Sequence, residues 1–340
     1  MNYINMILDI NILLTSFFLI FINYLILLNR KLIAEKLKIY DYPNNRKIHK
    51  TPTPLIGGLC IFVSLIILNF IFYFTNSVEI KNFFILIFIY SLFFFIGLWD
   101  DIKNLSPKIR TLLILIVITS LLLLDENYLI EELRFKYSEI IIELNYFSII
   151  FTAFCFFALY NALNFIDGYN GIAITISIYW CSFLFTKNNN LIYFFIFLIL
   201  FLICLYNLYG KLFLGNSGTS ILSIFFSLSL TADYNLSRTI YSDEILFILF
   251  FPGIDMIRVT LGRIINRKKI YNPDKSHFHH YLLYNNYKYV WQTMIFLTLL
   301  PLILLEITKN TSVTLIISIL IYITIFSLLK KKSNYIKKIK

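Results

Sequence analysis

Eleven long apolar runs divide this chain, at about residues 6–28, 55–75, 83–99, 108–124, 146–163, 171–186, 191–208, 218–232, 244–262, 290–307 and 313–329. A helix needs roughly 20 apolar residues to cross the hydrocarbon core of a bilayer, and there it satisfies its own backbone hydrogen bonds. The pattern predicts an all-α polytopic integral membrane protein of about eleven transmembrane helices, organised as one domain over 1–340. The count falls to ten if one weak run fails. The eighth run is short, and the ninth contains Pro252, so these two are expected to be broken, tilted or miscounted.

Composition enters the argument as an exclusion. A chain with 59% hydrophobic and 14% charged residues lies outside the range of soluble globular domains. Its net charge of +11 sits between the apolar runs rather than along an amphipathic face, which suits lipid headgroups of the bilayer or a phosphorylated substrate and not nucleic acid. Cys60, Cys155, Cys181 and Cys204 all lie inside apolar segments without CxxC spacing, so neither a disulfide framework nor a thiolate metal site is expected. The first basic residue, Arg30, follows the first run and no small-residue cleavage site comes after it, so 1–29 reads as a retained helix.

Alternating spans place residues 30–54, 100–110, 164–170, 209–217, 258–289 and 330–340 on one side, and that side carries 24 of the 30 Lys and Arg residues. The positive-inside rule makes it cytoplasmic, with the N-terminus periplasmic and the basic tail 330–340 inside. Acidic residues on this side are few: Glu35, Asp41, Asp100, Asp101, Asp167, Asp255 and Asp274. All but Glu35 lie in polar segments at helix ends, where carboxylates in a basic field suit a divalent cation or a proton relay. The opposite segment 125–145, with Glu131, Glu132, Glu139 and Glu143 among Leu, Ile and Tyr, reads as a short solvated hairpin or a surface helix.

Five polar constellations fall on the basic side. The first, Asp41 to Gly58, holds Arg46, Lys47 and His49 among prolines and glycines; it is either a lipid-touching loop or a built site. The second is the acidic pair Asp100 and Asp101, either a helix cap or a catalytic or metal-binding pair. The third sets Asn161 and Asn164 on one helical face before Asp167, Gly168 and Asn170, which reads as interhelical glue or as an aqueous pocket. The fourth, Gly215-Asn216-Ser217-Gly218, opens the eighth helix and can present backbone N–H groups to an anion. The fifth joins Asp255, Arg258 and Arg263 to His277, His279 and His280. Asp255 and Arg258 can simply pair, and the histidines beside basic residues suit a pyrophosphate better than structural zinc.

In this order, over residues 41–282, the motifs resemble those of the polyprenyl-phosphate N-acetylhexosamine-1-phosphate transferase family (glycosyltransferase family 4). The resemblance implies ten or eleven spans in the bacterial cytoplasmic (inner) membrane and an active site facing the cytoplasm. It further implies a reaction of undecaprenyl phosphate with a UDP-N-acetylhexosamine that yields a lipid diphosphate sugar and UMP. It assigns catalytic roles to Asp100, Asp101, Asp167, His279 and His280, and substrate binding to Arg46, Lys47, His49, Asn161, Asn170, Lys211, Arg258, Arg263 and His277. Metal binding goes to Asn164 and Asn216, with Asp100, Asp101 and Asp167 as further candidates; the implied cofactor is Mg2+, or Mn2+ in its place. A homodimer is left open.

Two departures stand out. Relatives carry Asp where this chain has Asn216, and Asn207-Leu-Tyr-Gly210-Lys211 is one residue shorter than the usual segment and lacks its proline. The Asp274-Lys-Ser-His277-Phe-His279-His280 stretch resembles the branch that initiates O-antigen, common antigen or teichoic acid synthesis. The phospho-N-acetylmuramoyl-pentapeptide transferase branch, with three consecutive histidines, is the alternative, together with a non-catalytic lipid-binding or lipid-transporting homologue.

Overall fold

The computed structural model describes residues 3–43, 51–75, 77–269 and 275–339, with side chains within 10–333. In chain order it forms helix α1 (Tyr3–Leu28), the short helix α2 (Arg30–Leu37) and the antiparallel strands β1 (Tyr40–Asp41) and β2 (Thr53–Pro54). Helices α3 (Gly57–Phe74), α4 (Ile80–Lys103) and α5 (Pro107–Leu124) follow, then the hairpin of β3 (Glu132–Arg134) and β4 (Ile141–Glu143). The remainder is helical: α6 (Ser148–Ile166), α7 (Ile172–Asn188), α8 (Leu191–Leu208), α9 (Gly215–Asn235), α10 (Ser242–Ile248), α11 (Phe250–Ile265), α12 (Phe278–Tyr284), α13 (Val290–Thr308) and α14 (Thr311–Ile339).

The chain is thus an all-α polytopic membrane protein. Among the described residues, eight helices are long and apolar enough to cross a membrane, or nine if α10 and α11 form one span bent by 66°. That bend falls in the ninth apolar run, the one carrying Pro252. Helices α7 and α9 form over the sixth and eighth runs without being among those eight. The acidic 125–145 segment takes the hairpin form rather than that of a surface helix.

Two compact units are present, Met1–Val117 with Ser177–Phe225 and Ile118–Ile176 with Phe226–Lys340. In the first, sparse polar side chains link apolar helices, as suits a medium that offers no water. Asn23 Nδ2 donates to the Leu19 carbonyl and to Ser64 Oγ at 2.8 Å, joining α1 to α3. Asn69 Nδ2 donates to the Phe83 carbonyl at 3.0 Å, joining α3 to α4. Gly97 lets α4 meet the start of α9, since a Cβ there would lie 2.6 Å from both the Asn216 carbonyl oxygen and Ser217 Cα.

In the second unit the hairpin is pinned by charge. Asp243, fully buried, accepts from the Lys136 N–H at 3.1 and 3.2 Å and from the Thr311 hydroxyl at 2.8 Å. The Lys136 ammonium lies 3.0 Å from Glu244, which is also fully buried, and pairs with Glu306 as well. Removing one member of a buried pair strands the other, at a cost of about 3 kcal/mol. Lys136→Met should therefore lower the melting temperature in detergent. Adding Glu244→Gln, whose amide oxygen can still accept from the Tyr241 N–H, should restore most of the loss; a double variant no more stable than the single would refute the pairing.

Candidate active site

The motif residues divide between the two units. In the first, the backbone of the loop after β2 pairs with the segment before α9: Phe213 N–H donates to the Pro54 carbonyl at 2.9 Å, and the Gly57 and Gly58 N–H groups donate to the Phe213 and Leu214 carbonyls, each at 3.1 Å. This fixes the first turn of α9. Asp101 Oδ1 accepts from the Asn216 N–H at 2.7 Å, while Oδ2 accepts from the Ser217 N–H at 3.0 Å and the Ser217 hydroxyl at 2.8 Å. The first N–H groups of a helix lack internal partners and carry its positive pole. Asp101 therefore caps a helix, though not the one that follows it in sequence. Asp100 is buried and accepts from Arg110 Nη1 at 2.6 Å. Lys211 is exposed, with its ammonium 5.5 Å from the Tyr209 ring centroid.

In the second unit, α11 and α12 converge on the Asp255 carboxylate, which is 2% exposed. Oδ1 accepts from Arg258 Nη2 at 2.6 Å, from Arg258 Nε at 3.2 Å and from the Tyr322 hydroxyl at 2.8 Å. Oδ2 accepts from the Phe278 N–H at 3.2 Å and lies 3.3 Å from His277 Nδ1. Arg258 also donates through Nε to Tyr322 Oη at 2.7 Å and through Nη2 to the Ser276 carbonyl at 2.6 Å. Among the described residues its Nη1 has no partner. One edge of the guanidinium is thus held by protein and the other can serve a phosphate.

The histidines stack beside it. The rings of His277 and His279 are nearly parallel with centroids 5.8 Å apart, and the His279 and His280 centroids lie 4.2 Å apart. His279 is 1% exposed, and both of its ring nitrogens lack a partner among the described residues. Burial, and then the neighbouring His280 and His277, hold its pKa well below the usual 6.5, so the folded protein keeps this imidazole neutral. Gly168 packs on that ring so closely that a Cβ would clash with Nε2.

The asparagine motif lies at the end of α6. Asn161 Nδ2 turns back to the Phe157 carbonyl at 2.8 Å. Asn164 sits in the last turn, Asp167 at the C-cap and Asn170 in the turn beyond, all partly exposed. Arg263 is buried, 5.5 Å from the Phe165 ring centroid. Arg46, Lys47, His49 and Asp274 lie outside the described residues. Asp255, expected either to pair with Arg258 or to serve a cation or proton relay, does pair with Arg258; Tyr322 and Phe326 belong to no sequence motif, and the one signal for them is a phenol within a largely apolar run.

An apolar cavity of about 460 Å³ lies in the same unit, walled by α6, α9, α10, α11 and α14. Ile254, Met256 and Ile257 line it from α11, while Asp255 and Arg258 occupy the opposite face of that helix.

Among the described residues no three His, Cys, Asp or Glu side chains form a metal cluster, and the oxygens of Asp101 are taken by α9. At the end of α6, the Asn164 amide and the Asp167 carboxylate carry hard oxygens of the type that Mg2+ accepts beside waters and substrate phosphates.

Residues 83–232 match the sequence model of glycosyl transferase family 4. The chain is 29% identical to a probable undecaprenyl-phosphate N-acetylglucosaminyl 1-phosphate transferase of Bacillus subtilis, over 74% of this chain and 72% of that protein. It is 27% identical to the undecaprenyl-phosphate alpha-N-acetylglucosaminyl 1-phosphate transferase of Yersinia pestis (74% and 71%) and 28% identical to that of Thermotoga maritima (78% and 79%).

The unfolded chain binds a proton at position 279 as pH falls through about 6.5, and the folded chain does not. The stability this group contributes is present above that pH and lost below it. Melting temperature in detergent should fall on going from about pH 8 to about pH 5, and less steeply for His279→Gln; equal slopes would count against a buried neutral His279. Gly168→Ala should displace the ring and steepen exchange of solvent into the site, read as a shifted imidazole resonance against wild type.

Proposed function

We propose that this chain, whose residues 83–232 match glycosyl transferase family 4, is an enzyme of that family and transfers an N-acetylhexosamine 1-phosphate from a UDP-linked donor to undecaprenyl phosphate. An oxygen of the lipid phosphate attacks the donor's β-phosphorus, the bond from that phosphorus to the bridging oxygen of UMP breaks, and UMP leaves as the lipid diphosphate sugar forms. The observation that carries the reading is α11 itself. One face holds an arginine with a free guanidinium edge beside a neutral, unpartnered histidine, and the other lines an apolar cavity. The reaction needs both environments, a basic one for the donor diphosphate and an apolar one for the prenyl chain, and pockets of 300–1,000 Å³ enclose ligand-sized pieces of a molecule.

Each residue acts by position and charge. Arg258 and the histidines hold the donor diphosphate. Because His279 is neutral, it can donate from one ring nitrogen and accept at the other. Asp101 fixes the α9 turn that carries Asn216. Asn164 and Asp167 of one unit, and Asn216 of the other, are each carried forward as candidate Mg2+ ligands, and Mg2+ would offset charge on the diphosphate oxygens. The distribution of Lys and Arg supports a cytoplasmic active face and a periplasmic N-terminus, and the family resemblance supports the bacterial inner membrane as the location. The product would initiate a cell-envelope polysaccharide.

Purified protein with undecaprenyl phosphate, Mg2+ and a panel of UDP-sugars should release UMP; no UMP with any donor, from protein that still binds the lipid, would leave only the binding role. Asn216→Asp should lower the Mg2+ concentration required, and an unchanged titration would remove Asn216 from the metal site. Ala158→Trp, which fills the cavity, should raise KM for undecaprenyl phosphate at least tenfold and leave KM for the UDP-sugar alone.

A further inference from the structure

We infer that Tyr322 and Phe326, one turn apart on α14, are positioning residues that aim the free edge of Arg258 at a substrate phosphate; the inference rests on the phosphoryl-transfer reading above. Neither residue belongs to a motif. Tyr322 Oη accepts from Arg258 Nε at 2.7 Å and donates to Asp255 Oδ1 at 2.8 Å, so one hydroxyl ties both members of the ion pair to the last membrane helix. The Arg258 guanidinium carbon lies 4.0 Å from the Phe326 ring centroid, within the range of a cation–π contact.

The two rings are themselves held. They stack on each other at 3° with centroids 6.2 Å apart, and Tyr281 of α12 meets Phe326 edge-on at 5.0 Å. A turn further along, Asn285 Nδ2 donates to the Leu329 carbonyl at 2.9 Å. Residues 322, 326 and 329 share one face of α14, and that face touches the helix bearing His279 and His280 as well as the arginine. The side chain of Arg258 is long and flexible; ion pairing to Asp255 alone leaves it free to rotate about the carboxylate. A hydroxyl on Nε and a ring beneath the plane remove that freedom and leave Nη1 presented.

The test is steady-state kinetics of the full chain in detergent, with UDP-sugar and undecaprenyl phosphate varied separately. Tyr322→Phe removes only the hydroxyl and should raise KM for the UDP-sugar about tenfold, the scale of a lost hydrogen bond to a charged group, in a protein that still folds but melts somewhat lower for the donor that Asp255 loses. Phe326→Leu should act in the same direction and Phe326→Tyr, which keeps the ring face, should restore wild-type behaviour. In an Arg258→Lys background, Tyr322→Phe should have no further effect. Unchanged KM for both substrates in Tyr322→Phe and Phe326→Leu, or full additivity with Arg258→Lys, would overturn the inference. Absence of UMP release by the wild type would instead overturn the reading on which it rests.

Discussion

A carboxylate removed from water must be met by donors on every side, or it will not stay ionised. Asp255 meets that demand with five contacts drawn from α11, α12 and α14 and the segment before α12. Three separate stretches of chain are thereby required to converge, and the histidine cluster follows from it: His277 is oriented by the ring nitrogen it turns to Oδ2, and α12 begins where the Phe278 N–H reaches the same oxygen. Apolar packing alone supplies no such register, because one Leu or Ile face fits another almost as well when shifted by a turn. In this unit the polar contact decides which turn.

Asp101 does comparable work in the first unit with a different chemistry. Its partners are the N–H groups and hydroxyl of the opening turn of α9, so it holds backbone rather than side chains. The acidic pair is therefore two residues with separate attachments, Asp100 to Arg110 and Asp101 to α9. Mutational loss at either position would combine chemistry with displacement, and melting temperature separates the two.

Much of this was legible beforehand for a physical reason. Long apolar runs and glycine- or proline-marked polar segments report the solvent each residue lives in, so the helical class, the bend in the ninth run and the clustering of polar motifs at helix ends could all be read from single residues. What could not be read depends on rotation. In the 313–329 run of α14 most side chains are apolar, and the stripe through Tyr322, Phe326 and Leu329 is not set apart from its neighbours by residue type. Likewise the sequence offers Asp101 a nearby helix to cap, and the distant one it does cap depends on the close approach of Gly97 to α9. The β3–β4 hairpin was one of two alternatives because its short strands carry both acidic and apolar residues.

The cavity beside α11 has a consequence for how material reaches it. Three of its lining residues, Phe154, Leu246 and Ile257, are 66%, 43% and 53% exposed, and in a bilayer such side chains face acyl chains. For an amphiphile dissolved in the bilayer, an opening between these side chains leads in sideways, within the plane of the membrane. Supply of an amphiphile to this opening is set by its mole fraction among the surrounding lipids and by two-dimensional diffusion, not by its amount per litre, so diluting the membrane with inert lipid would slow occupancy even at constant total concentration.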